Sequence, residues 1–189
     1  TEGLSGFPSG YTAIDKGTLG WQPSDLIIVA ARPSMGKTAF VLTMARNMAV
    51  EHNSPIAFFS LEMSSVQLVK RLMISETGLS AEKIKGGKKL EEYEWEQLNM
   101  KIKSLVKAPM YIDDTPSLSV NELRSKARKL VSLHGVKAII IDYLQLMTGP
   151  AELRGMREQE VSAISRSLKA IAKELNVPVI ALSQLSRAV

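Results

Sequence analysis

The stretch "ARPSMGKTAF", Ala31 to Phe40, decides how the rest of this chain is read. It fits the phosphate-loop pattern GxxxxGK[ST] at every position but the first, where Ala31 stands in place of glycine, followed by Arg32, Pro33, Ser34, Met35, Gly36, Lys37 and Thr38. The apolar run "DLIIVAA" (25–31) precedes it and the helical stretch "TAFVLTMARNMAV" (38–50) follows, so the loop has the strand-before, helix-after context it requires. Backbone amides of Ser34 to Thr38 are then expected to surround a β-phosphate, helped by the positive end of a helix that begins near Gly36. Lys37 is expected to reach the β- and γ-phosphates, and the Thr38 hydroxyl to join a Mg²⁺ shell. Ala31 is tolerable if the strand-to-loop turn keeps a negative φ, which a residue with a Cβ adopts at little cost.

Outward from the loop, apolar runs alternate with helical patterns to the end of the chain. "PIAFFS" (55–60), "MYIDD" (110–114), "KAIIIDYLQLM" (137–147) and "PVIALS" (178–183) read as further strands. Their runs are continuous rather than alternating, as a parallel sheet covered on both faces demands. The helix after the second strand starts at Ser64, with Gln67 three residues on as a capping box. Ser119 and Glu122 cap the helix "SVNELRSKARKLVSLHG", which stops at Gly135, and "REQEVSAISRSLKAIAKEL" (157–175) is a long amphipathic helix. The expected class is α/β, a mostly parallel doubly wound sheet in one domain over residues 1–189. Residues 1–24 read as a Gly/Pro/Ser-rich lead-in, and residues 79–108 as a charged helical insertion with a loop at Gly86-Gly87.

Phosphate chemistry also needs a carboxylate for the metal and a group that orients water. "AIIIDY" carries Asp142 out of an apolar strand, the Walker B arrangement, several βα units beyond the loop. Tyr143 follows it, so the base often found beside that aspartate must come from elsewhere. "FFSLEM" places Glu62 just beyond the second strand, on the ligand-binding edge of such a sheet. At the tip of the last strand, "ALSQLSR" offers Gln184, ahead of Ser183, as a sensor of the γ-phosphate.

Composition narrows the remaining classes. The 189 residues are 45% hydrophobic and 23% charged, ordinary for one domain with a sizeable core. The chain has no cysteine, which excludes disulfide frameworks, thiolate metal sites and cysteine nucleophiles. No leader pattern or membrane-length apolar run is present, so a soluble, cytoplasmic protein without a membrane partner is expected. A net charge of +5 permits a polyanionic partner. In "TGPAELRGMREQE" (148–160), a loop at the same sheet edge as Asp142, Arg154 and Arg157 read either as solvated side chains or as the cations placed to meet the phosphates of such a partner without reading base sequence. Lys88 and Lys89 read as a solvated face, His52 and His134 as helix-terminal residues, Asp113-Asp114 as a turn, and the nine methionines as core filling.

With these residues identified, the chain resembles the ATPase domain of bacterial replicative DNA helicases of the DnaB family, within the RecA-like group. The likeness runs through "GFPSGYTAID", "WQPSDLIIVAARPSMGKTAF", "FFSLEMS", "YIDDTPSLS", "IIIDYLQLM" and "REQEVSAISRSLKAIAKELNVPVIALSQLSR". The family tolerates alanine at the loop's first position. The resemblance implies a RecA-like P-loop fold in which Ala31 to Thr38 bind ATP and Thr38 and Asp142 hold Mg²⁺. It makes Glu62 the catalytic glutamate and Gln184 the sensor. It further implies a homo-hexameric ring around single-stranded DNA, 5′ to 3′ translocation, primase and helicase-loader partners, and an arginine finger from the neighbouring subunit. The family's N-terminal domain, its second DNA-binding loop and that finger are expected to lie outside residues 1–189, leaving this piece weakly active alone. The competing reading is a RecA-like recombinase or loader ATPase that uses ATP as an assembly switch.

Overall fold

The structure, a computed structural model, describes residues 3–32 and 36–185. Five strands form one sheet: β1 (Leu26–Ala31), β2 (Ile56–Ser60), β3 (Met110–Asp113), β4 (Ala138–Asp142) and β5 (Val179–Gln184). All pairings are parallel, in the order β1-β5-β4-β2-β3. The strand that leads into the phosphate loop therefore does not touch the strand that carries Asp142; β5 lies between them. Register sets Ala31 opposite Gln184 and Ser60 opposite Asp142, and β1 and β5 run on past the end of the β4–β5 pairing at Ile141 and Ala181.

Because side chains alternate across a strand, each strand feeds two cores. Phe58, Ile140, Ile180 and Leu182 face α2 (Lys37–Arg46), the turn just after it and α3 (Ser65–Thr77), where Val41, Met44, Met48 and Leu68 meet them. Phe59, Ile139, Ile141 and Ala181 face α6 (Val120–His134) and α7 (Arg157–Leu175), packing on Leu123, Ala127, Ile164 and Leu168. β2 and β4 are buried at every position, the reason their sequences are apolar without alternation.

The caps follow the expected chemistry. Ser64 accepts from the Gln67 amide while the Gln67 side chain accepts from the Ser64 amide, Ser119 accepts from the Glu122 amide, and Gly135 ends α6. α7 spans 157–175, as patterned. The segment 79–108 forms α4 (Ala81–Ile84) and α5 (Glu92–Lys107), which packs on α3.

Three local readings change. The run 137–147 is not one strand: it leaves the sheet after Asp142 and turns through a 3₁₀ segment at Leu144–Leu146. The helix after the loop relaxes into a π-helical turn over Asn47–Glu51. The lead-in holds α1 (Thr12–Thr18), pins Phe7 against Trp21 in an antiparallel bridge, and lays Phe7, Tyr11 and Ile14 on the α2 core, with the Tyr11 ring stacked on Phe40. Its Gly/Pro/Ser content hid a scattered apolar set that buries once folded. Of the methionines, Met44, Met48 and Met147 fill the core, whereas Met100 and Met156 are exposed. No helix among the described residues is long and apolar enough to cross a membrane.

Candidate nucleotide site

The C-terminal ends of β1, β2, β4 and β5 bring Ala31, Glu62, Asp142 and Gln184 to one edge of the sheet. Ala31 is the last residue of β1 and is not among the positive-φ positions, so the missing glycine costs the backbone nothing there. Arg32 follows, exposed; Pro33, Ser34 and Met35 lie outside the described residues. Gly36 is the N-cap of α2 with φ +70°, a conformation that a side chain would strain. This glycine, unlike the one replaced by Ala31, is conformationally required.

Lys37 and Thr38, in the first turn of α2, reach back to the end of β4. Thr38 Oγ1 donates to Asp142 Oδ2 at 2.8 Å. Lys37 Nζ stands 3.5 Å from Asp142 Oδ1 and 3.4 Å from Glu62 Oε2, with the Tyr143 ring centroid 3.9 Å away. Asp142 is wholly buried, and its Oδ1 has no hydrogen-bond partner among the described residues. Burial pushes its carboxyl above the ordinary aspartate range; the Thr38 hydroxyl and the Lys37 ammonium pull it back, and the Glu62 charge adds to the rise. Glu62 is half in solvent, just beyond β2. A cleft of about 400 Å³ opens here, lined by Gly36, Lys37, Thr38, Glu62, Gln67 and Arg71.

An ammonium shared by two carboxylates, over an aromatic face and at a helix N-terminus, can serve an anion while the carboxylates supply an internal counter-charge. A phosphate that enters must compete with Glu62 and Asp142 for Lys37. Among the described residues no three of His, Cys, Asp and Glu converge on a metal site. The Thr38 hydroxyl and the Asp142 carboxylate are oxygen donors of the kind Mg²⁺ takes, an ion ordinarily held by one or two carboxylates together with substrate phosphates.

Gln184 ends β5, half-buried and level with Ala31. Its backbone is held by Gln145, a residue the motif reading passed over: Gln145 Nε2 donates to the Gln184 carbonyl at 3.1 Å and to Ser183 Oγ at 2.9 Å, while Gln145 Oε1 accepts from the Gln184 amide at 3.1 Å. The signal available in sequence was one polar residue inside the apolar run that follows Asp142. Tyr143, noted only as not being glutamate, proves to be the aromatic face beneath Lys37.

The two arginines of the following loop differ. Arg157 opens α7, pairs with Glu160 at 2.6 Å and donates to the Gln145 carbonyl. Arg154 is exposed, and its side chain has no partner among the described residues. The other polar clusters do not converge on the cleft. Asp113 pairs with Lys126 at 2.7 Å and accepts from the Thr115 amide, and Asp114 accepts from the Ser65 amide at the start of α3. His134 ends α6 stacked on Tyr111, His52 follows the π-helical turn, and Lys88 pairs with Glu82 at the surface.

A parallel sheet with a phosphate loop after β1, a buried carboxylate closing β4 and β5 inserted between the two defines a RecA-like P-loop domain. Residues 6–189 match the model of the DnaB-like helicase C-terminal domain, and the chain belongs to that family. It is 53% identical over 186 residues to the replicative DNA helicase DnaB of Geobacillus stearothermophilus, covering 98% of this chain and 41% of that protein. It is 50% identical over 186 residues to the replicative DNA helicase DnaC of Bacillus subtilis, again covering 98% and 41%. The chain thus spans about two fifths of the length of these relatives. Among solved structures, a DnaB-like replicative helicase described with its interactions with primase superposes with a TM-score of 0.90 at 38% identity, covering 99% of this chain and 46% of that one. A second solved chain, described as an ATPase domain, also gives 0.90, at 39% identity, covering 99% and 66%.

Proposed function

We propose that this chain is the motor domain of a replicative DNA helicase, binding Mg-ATP at the sheet edge and hydrolysing it to move along single-stranded DNA and open duplex. The observation that carries the reading is the buried Asp142 carboxylate, with one oxygen on Thr38 and the other beside Lys37 without a hydrogen bond among the described residues. A carboxylate so buried is costly unless a further partner arrives, and a divalent cation is the partner its charge demands.

In this reading Ala31, Arg32, Pro33, Ser34, Met35 and Gly36 form the loop that wraps the phosphates, with the N-terminus of α2 behind it. Lys37 gives up Glu62 to neutralise the β- and γ-phosphates. Thr38 and Asp142 hold Mg²⁺, which when bound offsets phosphate charge and orients the γ-phosphoryl group. Glu62, released from Lys37, orients the attacking water, and Gln184 donates to the γ-phosphate. Arg154 and Arg157 contact DNA phosphates along the loop. The names of the relatives support DNA as the track and primase as a partner. A homo-hexamer with an arginine finger from the next subunit and a helicase loader complete the expected assembly.

The test is a pair of variants in the full-length protein. Lys37→Ala should lose ATP binding, while Glu62→Gln should bind Mg-ATP near normally and lose turnover by about 10²-fold or more, because its role is confined to the transition state. Equal loss of nucleotide affinity in both variants would remove Glu62 from the proposed role.

A further inference from the structure

We propose that Gln145 is a positioning residue for Gln184, holding the end of β5 in the orientation from which Gln184 meets the γ-phosphate and tying it to Arg157. The inference rests on the nucleotide reading of the site. The β4–β5 pairing stops at Ile141 opposite Ala181, while β5 runs on to Gln184. On the β1 side the terminal backbone is satisfied, since the Leu185 amide donates to the Ala31 carbonyl at 2.9 Å. On the β4 side nothing of that strand remains to pair, because the chain turns away after Asp142.

Gln145 fills the gap with a side chain. Its carboxamide sets an N–H donor beside a carbonyl acceptor, as a peptide unit does, so both the Gln184 N–H and C=O are met by it, and its second N–H is left for a further acceptor. Ser183 is taken as well. The chain at Gln184 is therefore held from both sides, by Gln145 on Gln184 itself and by Ala31 on Leu185, while the Gln184 carboxamide has no hydrogen bond among the described residues. A fixed backbone bearing an unengaged polar head, level with the first residue of the phosphate loop, is what a γ-phosphate contact needs to be ready without reordering. The carbonyl of the same Gln145 accepts from the Arg157 guanidinium, so any force on Arg157 reaches the sensor through one residue.

Only a side chain with both donor and acceptor at this length can serve. Asparagine is one methylene short, and glutamate sets a carboxylate oxygen against the Gln184 carbonyl. The experiment uses the full-length protein with Gln145→Glu and Gln145→Met, alone and combined with Gln184→Ala. Affinities for ADP and for a non-hydrolysable ATP analogue are measured with Mg²⁺, beside turnover and melting temperature. The preference for the triphosphate over ADP should fall by about five-fold in each Gln145 variant, the worth of one hydrogen bond. ADP affinity should stay within about two-fold, and adding Gln184→Ala should cost little more than either change alone. A merely structural glutamine would weaken ADP and the analogue together, and its loss would add to that of Gln184→Ala; either result overturns the proposal. A parent protein that turns over ATP while the Gln145 variants keep its triphosphate preference overturns this inference alone. A parent without Mg-ATP turnover overturns the nucleotide reading and the inference with it.

Discussion

Thr38 and Asp142, 104 residues apart in the chain, meet in one buried hydrogen bond, Thr38 Oγ1 donating to Asp142 Oδ2 at 2.8 Å. The bond joins the first turn of α2 to the end of β4, two strand positions away from β1. It satisfies half of a carboxylate whose other oxygen has no hydrogen bond among the described residues, although the Lys37 ammonium stands 3.5 Å off. Such a group stabilises the fold poorly, because desolvation offsets much of the attraction it gains.

The first prediction follows from that imbalance. Asp142→Asn keeps the shape and the acceptor for Thr38 while removing the desolvated charge. Its unfolding free energy without nucleotide should lie within about 1 kcal/mol of the parent. The rise in melting temperature that Mg-ATP gives the parent should disappear, since ligand stabilisation reports binding to the folded state. A variant that melts far below the parent yet keeps the Mg²⁺-dependent rise would make Asp142 a structural residue and not a metal ligand.

The second concerns the loop before α7. Arg154 has no side-chain partner among the described residues, whereas Arg157 is engaged by Glu160 and the Gln145 carbonyl. Arg154→Ala should therefore weaken single-strand binding by the full-length protein evenly across base sequences and reduce its salt slope by about 1. Arg157→Ala should do less, because a phosphate must first displace Glu160. Binding titrations at several salt concentrations measure both, and an unchanged slope in Arg154→Ala would move the contact to another surface.

What could be read from sequence divides along physical lines. β2 and β4 are apolar throughout because both faces are covered, and the serines at 64 and 119 cap because their hydroxyls accept from amides three residues on; these are local or periodic effects, visible in a string. Lys37, Thr38, Glu62 and Asp142 were legible because strand ends of a parallel sheet share one edge, and the structure does bring them together. The position of β5 between β1 and β4 was not, since strand order is decided by packing between distant segments. Gln145 was missed for the same reason: its partners lie 38 and 39 residues on, and nothing local distinguishes it from a solvated glutamine. The lead-in was underrated because Phe7, Tyr11, Ile14 and Trp21 have no helical or strand period, though Trp21 is only 6% exposed.

That lead-in makes a third prediction. Gly10 has φ +83°, and a Cβ there would fall 2.4 Å from the Asn47 Cβ. Asn47 is buried at the start of the π-helical turn behind α2, so it has little room to yield. Gly10→Ala should cost about 1 to 3 kcal/mol, as strained backbone positions do. Gly17, inside α1, has nothing within 4 Å of the same added atom, and Gly17→Ala should stabilise by about 0.5 to 1 kcal/mol. Urea unfolding of the two variants checks the contrast; equal effects would show that the lead-in does not pack on α2 as described.

The fourth prediction is a pH dependence away from the nucleotide cleft. Glu94, in the first turn of α5, accepts from Lys83 Nζ at 2.5 Å through one oxygen and from the Glu91 amide at 2.9 Å through the other. The Lys83 hydrogen bond, followed by the Glu91 amide, holds the Glu94 carboxyl below the usual glutamate range, and the same hydrogen bond holds the Lys83 ammonium above the usual lysine range. A carboxyl with a lowered folded value contributes stability above its unfolded value and loses it as pH falls from the ordinary glutamate range through the folded one. The lysine is the mirror case: its contribution is present below the ordinary lysine value and is lost as pH rises through the raised one. Glu94→Gln retains an acceptor for the Glu91 amide and removes the ion pair alone. The melting temperature of the parent should therefore exceed that of Glu94→Gln on the neutral plateau, and the difference should shrink below the glutamate range and again above the lysine range. A gap that stays constant across both ends would show that the amide cap, and not the pair with Lys83, is what this carboxylate contributes between α4 and α5.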